Sequence, residues 1–403
     1  MWVSELRLTD YRSYESVDIQ LTPGVTAFVG QNGQGKTNLV EAIAYASLLG
    51  SHRVSSDAPL VRAGAERAIV GVSVARDDRT VLVELEINPG KANRARINRA
   101  AATRARDVLG ILTTVVFAPE DLALVKGDPS DRRRLLDELM IQRSPRMQGV
   151  KGDYERILKQ RNALLKSSYS ARRASHDDIV RTLEVWDEQL ADAAAEILHA
   201  RTTLIHDLTP PLEDSYALIA GRETAASSPD VHIAYQSTAV PMGDAAEKGG
   251  SPGNVTEWRE AMLASIGRRR RDELDRGVTL VGPHRDEMVI SLGGLPAKGY
   301  ASHGESWSIA LALRLAGFDV LRAEGHEPVL ILDDVFAELD ASRRSCLTAR
   351  VATCEQVLLT AAVGEDIPRE LVGTRFDVTR GKVTRGHPSQ GEVSSGAATG
   401  TTS

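Results

Sequence analysis

Apolar and polar positions alternate at strand spacing from the start of the chain. Val3, Leu6 and Leu8, then Val17, Ile19 and Leu21, flank the polar run Thr9-Asp10-Tyr11-Arg12-Ser13-Tyr14 and predict a β-hairpin. Val25-Thr26-Ala27-Phe28-Val29 predicts a short buried strand, and residues 38–49 a helix closed by Gly50. Strand-like runs at 68–74 and 80–87 alternate with polar turns, and residues 112–117 read as one more buried strand. A helix carrying Arg132-Arg133-Arg134 follows, with Ser130 or Asp131 as its expected cap. The period then lengthens. Tyr154, Ile157, Leu158, Arg161, Leu164 and Leu165 make one helical stripe. Ile179, Leu183, Trp186, Leu190, Ala193, Ile197, Ala200 and Leu204 make a second, in heptad steps. A polar break near 167–176 separates the stripes, and Pro210-Pro211 is expected to end the second. Two readings fit this region: a protruding antiparallel arm, or a packed helical subdomain. Residues 231–235 suggest a strand, 237–254 a flexible loop, and a helix resumes at Trp258. The tail, 384–403, is mostly Gly, Ser, Thr and Ala, has too little apolar content to pack, and is expected to be disordered.

Between the strand at 25–29 and the helix after it lies Gly30-Gln31-Asn32-Gly33-Gln34-Gly35-Lys36-Thr37, a full match to G-x-x-x-x-G-K-[ST]. Glycines let consecutive N–H groups converge on phosphate oxygens. Lys36 adds a charge on the β/γ phosphates, and Thr37 is placed to bind Mg²⁺. The following helix turns its positive end to the same anion. Far downstream, Pro328-Val329-Leu330-Ile331-Leu332-Asp333-Asp334 reads as a buried parallel strand ending in two carboxylates, expected beside the loop. Paired with the phosphate loop, it assigns Asp333 to Mg²⁺ and Asp334 to a water, as general base or orienter. Strand, glycine loop and helix together predict a nucleotide-binding protein.

Composition narrows the rest. The chain has 403 residues, enough for two or three domains, and its 42% hydrophobic and 26% charged content is that of a globular protein. The net charge of −6 offers nothing towards a nucleic-acid partner, so that case rests on local patches. One exists: between Arg62 and Arg106 ten Lys/Arg face five Asp/Glu, with Arg94, Arg96, Arg99 and Arg104 at its centre. A DNA-phosphate surface and a solvated sheet face fit it equally. The same holds for Arg268-Arg269-Arg270-Arg271 on its helix, and for Arg12, either a contact to nucleotide or DNA or a solvated turn residue. Cys346 and Cys354 form no C-x-x-C, which disfavours a disulfide framework or thiolate metal site. No run of 18 apolar residues exists and the first residues lack a signal-peptide pattern, so a cytoplasmic protein without a membrane segment is expected.

Ala301-Ser302-His303-Gly304-Glu305-Ser306 opens a helix expected at 307–316, and Glu338-Leu339-Asp340 follows the acidic strand. Together with the phosphate loop and Asp333-Asp334, these resemble the ABC-type ATPase head. More than two hundred residues separate the loop from the serine element, and a helical insertion lies between, which resembles the SMC-like DNA-repair ATPases. Further stretches similar to that family are Arg12-Ser13-Tyr14, Ser51-His52-Arg53, Phe117-Ala118-Pro119-Glu120-Asp121-Leu122 with Val125-Lys126-Gly127, and Gly282-Pro283-His284-Arg285-Asp286. The resemblance covers roughly residues 2–380. It implies an α/β fold: an ABC-type P-loop head built from 1–125 and 276–380, with a mainly helical arm, or lever, inserted at 126–275. It implies ATP and Mg²⁺ as cofactors, and an ATP-dependent homodimer in which Ser302, Gly304 and Glu305 close over the partner's nucleotide, with Asp340 in a dimer-interface loop. It further implies binding to single-stranded and gapped duplex DNA and recombinase loading with RecR- and RecO-like mediator proteins, in repair, replication-fork maintenance and the SOS response. Alternatives are an SMC-like bridging ATPase, disfavoured by the short insertion without hinge or hook, and a non-DNA ABC-type regulatory or transport ATPase. Asp334 stands where the wider class has glutamate and His303 where it has glycine. No histidine follows the strand at 356–360. Weak, DNA-stimulated hydrolysis is therefore expected.

Overall fold

A computed structural model describes residues 1–170, 176–220, 230–240, 253–325, 327–371 and 373–386. The first sheet is antiparallel: β1 (Trp2–Tyr11), β2 (Tyr14–Gln20), β4 (Ala68–Arg76), β5 (Arg79–Ile87), β6 (Arg94–Ile97) and β7 (Ala100–Ala101), in the order β2-β1-β4-β5-β6-β7. The second holds β3 (Gly24–Val29), β8 (Thr114–Phe117), β12 (Val329–Asp333), β13 (Gln356–Ala361), β14 (Thr374–Thr379) and β15 (Lys382–Arg385), in the order β15-β14-β3-β13-β12-β8. All its pairings are parallel except β14 with β15. A third, small sheet joins β9 (Val231–Gln236), β10 (Glu287–Leu292) and β11 (Leu295–Pro296).

The parallel strands β8, β12 and β13 are buried throughout, which is why they read as largely apolar runs. Val329 and Ile331 of β12 pack with α1 (Lys36–Leu48) and the first sheet. Leu330 and Leu332 pack instead with α8 (His303–Ala323) on the other side. Around this frame lie α2 (Ala123–Lys126), α3 (Pro129–Arg143), α4 (Met147–Ser170), α5 (His176–Ile219), α6 (Val255–Arg276), α7 (Ala297–Tyr300) and α9 (Ala341–Val351).

The helical region is anchored at both ends. Tyr154 and Ile157 of α4, Leu190, Ala194 and Ile197 of α5, and Met262 and Ile266 of α6 form their own core. The later turns of α5, from Leu204 to Ile219, join the head core with α8. A boundary at 126–275 therefore cuts through one packing unit, since Leu135, Leu136 and Leu139 of α3 also belong to the head core. Among these helices, Arg161 is fully buried and bonds Asp187 at 2.8 Å, Glu273 at 2.6 Å and the Thr279 hydroxyl at 2.7 Å, which ties α4, α5 and α6 together.

Several expected boundaries move. α5 passes through Pro210-Pro211 without ending, because Leu208, Leu212, Tyr216 and Ile219 are all buried and packing outweighs the lost backbone bonds. α1 closes at Leu49, in the left-handed region (φ 53°), rather than at Gly50. Asp128, followed by Pro129, caps α3 instead of Ser130 or Asp131; its N–H donates to Asp131 Oδ2 at 3.2 Å. α8 starts at His303 and runs to Ala323. Thr384 and Arg385, expected in the tail, belong to β15. Most of the loop expected at 237–254, and residues 387–403, lie outside the described residues.

Candidate nucleotide site

β3 delivers the phosphate loop at its carboxyl end, and the local sequence leaves the loop little choice of shape. A Cβ on Gly30 would stand 2.2 Å from the Val378 carbonyl oxygen, so only glycine passes beneath β14. Gly35 takes φ 110°, and a Cβ there would crowd the Ser13 and Tyr14 hydroxyls at 2.9 Å. Outside elements hold the loop from both sides. The Tyr14 hydroxyl donates to Gly35 O at 3.1 Å, and Arg380 N donates to Gln34 Oε1 at 2.7 Å. Lys36 is buried over the loop, donating to Asn32 Oδ1 at 3.3 Å and Gln31 O at 3.5 Å, with Asp334 Oδ1 at 3.9 Å.

The acidic strand β12 is not the direct neighbour of β3, contrary to the expectation from sequence, because β13 runs between them. The gap is bridged by Thr360, the cross-strand partner of Asp333. Its hydroxyl donates to Asp333 Oδ1 at 2.6 Å and accepts from Asp334 N at 2.9 Å. Thr37 Oγ1 donates to the same Asp333 oxygen at 3.0 Å. Burial pushes the Asp333 carboxyl above its usual range, and Asp334 adds to this, whereas the two threonine hydroxyls pull it back. Asp334 is partly exposed and sits at φ 51°, in the left-handed region.

These groups fit Mg²⁺. Thr37 Oγ1 and Asp333 are hard oxygen donors, and one or two protein oxygens completed by phosphate is the usual way this ion is held. Among the described residues no cluster of three or more His, Cys, Asp or Glu exists that would favour a dedicated protein cage.

The serine element opens α8. Ser302 is exposed and caps α8: its Oγ accepts from Glu305 N at 3.2 Å, while Glu305 Oε2 accepts from Ser302 N at 2.9 Å. A Cβ on Gly304 would stand 3.0 Å from the Arg343 guanidinium, and Arg343 pairs with Asp340, the exposed cap of α9, at 3.1 Å. Ser302, Gly304, Glu305 and Asp340 thus share one surface within a subunit. Arg94, Arg96, Arg99 and Arg104 are exposed on β6, the turn after it and the segment beyond β7, at the edge of the first sheet opposite β2. Arg12 turns out to be structural, bonding the buried Glu41 carboxylate at 2.6 and 2.9 Å. Glu41, His52, Glu120 and Thr360 are the site's neighbours that sequence left without a role. His52 and Glu120 fall in the family-like stretches, which is the only signal they carried.

A parallel sheet with a phosphate loop on one strand, a carboxylate on another and a serine-capped helix on the same head defines an SMC-like, ABC-type ATPase. The RecF/RecN/SMC N terminal domain family matches residues 2–367. The DNA replication and repair protein RecF of Streptomyces avermitilis is 58% identical over 382 residues, spanning 94% of this chain and 99% of its own. That of Kineococcus radiotolerans is 57% identical over 385 residues, spanning 94% and 97%. A solved structure of the recombination mediator RecF with ATP, in the RecFOR pathway, aligns with TM-score 0.84 at 26% identity, covering 96% of this chain and 98% of that one. An Smc head domain from Pyrococcus furiosus shares the fold, with TM-score 0.51 at 16% identity, covering 95% of this chain and 96% of that one. The chain belongs to the RecF family of DNA replication and repair proteins. None of the described helices is long and apolar enough to cross a membrane.

Proposed function

We propose that this protein binds ATP with Mg²⁺ between Gly30–Thr37 and Asp333, dimerises on doing so, and uses the dimer to hold single-stranded or gapped duplex DNA. The observation that carries the reading is the convergence of Thr37 and Thr360 on one oxygen of Asp333 at the mouth of the phosphate loop. The ATP-bound RecF structure supports the choice of nucleotide. When bound, Mg²⁺ supplies charge that draws the phosphate oxygens towards Thr37 and Asp333. Lys36 leaves its Asn32 and Gln31 partners for the β/γ phosphates, and Asp334 orients a water. Ser302, exposed on its turn, and the half-buried Gly304 beside it, with Glu305 and Asp340 nearby, meet the nucleotide of a second subunit, so the two sites are completed only in the dimer.

Asp334 is one methylene shorter than the glutamate of the wider class, and Thr360 is already committed to Asp333. Hydrolysis is slow and DNA-stimulated, and it releases DNA rather than driving turnover. The exposed arginines 94, 96, 99 and 104 supply phosphate contacts. With RecO- and RecR-like partners in the cytoplasm, the dimer helps load recombinase at gaps, in repair, fork maintenance and the SOS response. A gel-shift titration on gapped duplex tests this: ATP-dependent retention, lost in Lys36→Met, is expected. Retention indifferent to ATP overturns it.

A further inference from the structure

Packing explains two of the three positions in the family-like stretch Val125-Lys126-Gly127. Val125 belongs to the head core. A Cβ on Gly127 would stand 2.5 Å from Ala123 O and 2.6 Å from Asp131 Oδ2, so only glycine fits at the end of α2. Lys126 has no such reason. It is exposed, and among the described residues its ammonium meets neither a carboxylate nor a carbonyl. Its one polar contact is the His303 ring, with Nζ 3.4 Å from Nδ1. The main chain beside it is fixed, because Gly127 O accepts from Lys298 Nζ at 2.9 Å and from Arg132 Nη1 at 3.4 Å.

The bonding of His303 leaves that contact without an acceptor. Trp307 Nε1 lies 3.2 Å from His303 Nε2, and an indole N–H can only donate, so Nε2 accepts. The ring hydrogen is then on Nδ1. Placing it on Nε2 instead would set two donors against each other and strand the N–H of the buried Trp307. Nδ1–H and the Lys126 ammonium therefore face one another as two donors. An oxygen within about 2.9 Å of each would satisfy both, and an anionic one would also offset the lysine charge.

His303 follows Ser302 directly where α8 begins, and both are exposed. A phosphate that reaches Ser302 from a second subunit thus arrives at a turn whose next residue carries an open pair of donors. Glycine, the residue of the wider class at this position, offers Lys126 no companion.

We infer that Lys126 and His303 together bind a phosphate oxygen of the triphosphate held by the second subunit, beside the contact made by Ser302. This rests on the reading of the serine turn as the surface that meets that nucleotide. The pair adds to the dimer and not to the subunit's own hold on ATP.

The test is sedimentation velocity of the full chain in Mg²⁺, over a concentration series with and without ATP. Unfolding midpoints, gapped-duplex retention and single-subunit affinity for N-methylanthraniloyl-ATP are measured alongside. Lys126→Met removes the charge. His303→Glu still accepts from Trp307 but gives the ammonium a carboxylate, which closes the pair. Each should weaken the ATP-dependent dimer by at least about tenfold, with the midpoint and the single-subunit affinity of the wild type. Lys126→Arg and His303→Gln keep both donors and should restore most of the dimer. ATP-dependent dimers as tight in Lys126→Met and His303→Glu as in the wild type overturn the inference and leave the reading of the serine turn in place. Dimers lost together with the midpoint, and not regained in Lys126→Arg or His303→Gln, mean that the pair is structural, which also overturns it. So does a loss confined to gapped-duplex retention, since the pair then takes a DNA phosphate. A wild type that forms no dimer in ATP removes the reading of the serine turn itself, and the inference with it.

Discussion

Thr37 Oγ1 and Asp333 Oδ1 lie 3.0 Å apart across 296 residues of chain. The hydroxyl is fixed by the first turn of α1 and the carboxylate by the end of β12, so their meeting depends on the order of strands in the sheet. Replacing either oxygen should remove a cation ligand without disturbing the loop. Asp333→Asn is expected to weaken Mg²⁺-dependent nucleotide binding by at least about tenfold. Binding in EDTA should change little. A titration with Mg²⁺ at fixed nucleotide reads the difference.

Ser302 and its turn make bonds within α8, to Glu305, and the hydroxyl is exposed. A bulky cation there leaves the subunit's own phosphate loop intact and obstructs only a neighbour. Ser302→Arg should therefore keep ATP binding and lose ATP-induced dimerisation, read by sedimentation velocity. Dimers persisting in the variant would show that the contact across subunits lies elsewhere.

Arg161 has no exposed surface and shares its guanidinium among Asp187, Glu273 and Thr279. Removing one member of such a group strands buried charge, at a cost of about 3–5 kcal/mol. Arg161→Met should lower the urea midpoint accordingly and loosen α4, α5 and α6 first, detected as faster amide exchange in those helices. Arg156→Met, on the exposed face of α4, should do neither.

His284 is held neutral. Burial lowers its pKa to about 4 from the usual 6.5, and Arg285, Arg133 and Arg161 push the same way against the opposing pull of the Thr279 carbonyl. Its Nδ1 lies 2.6 Å from the Tyr154 hydroxyl, which can donate only to an unprotonated nitrogen. Between pH 6.5 and 4 the unfolded chain takes up a proton that the folded one refuses, so stability is complete above 6.5 and falls through that window. The loss attributable to this group is on the order of 2–3 kcal/mol. Urea midpoints compared at pH 7 and pH 4.5 should converge in His284→Gln relative to the wild type.

The phosphate loop and the acidic strand were legible because each is a local pattern: eight consecutive residues, and an apolar run ending in carboxylates. What joins them was not. Parallel strands are connected by long crossovers, so adjacency in the sheet leaves no mark in the chain, and Thr360 gains its role only because β13 falls between β3 and β12. Arg12 on its turn looked free for nucleotide or DNA, yet it serves Glu41, a partner set by how α1 packs on the hairpin. Pro210-Pro211 carried a true local preference for breaking a helix, overruled by four buried side chains around it. The family-like Gly282–Asp286 stretch proved to be a buried polar junction: Asp286 accepts from Tyr235, Ser237 and Thr238.

β3 has two neighbours in its sheet, β13 and β14, and both come from the last part of the chain, at Gln356–Ala361 and Thr374–Thr379. During synthesis this strand stays bare on both edges until the residues at 356–361 and 374–379 have followed it out of the ribosome. A chain cut off before Gln356 leaves the strand that carries the phosphate loop without either neighbour.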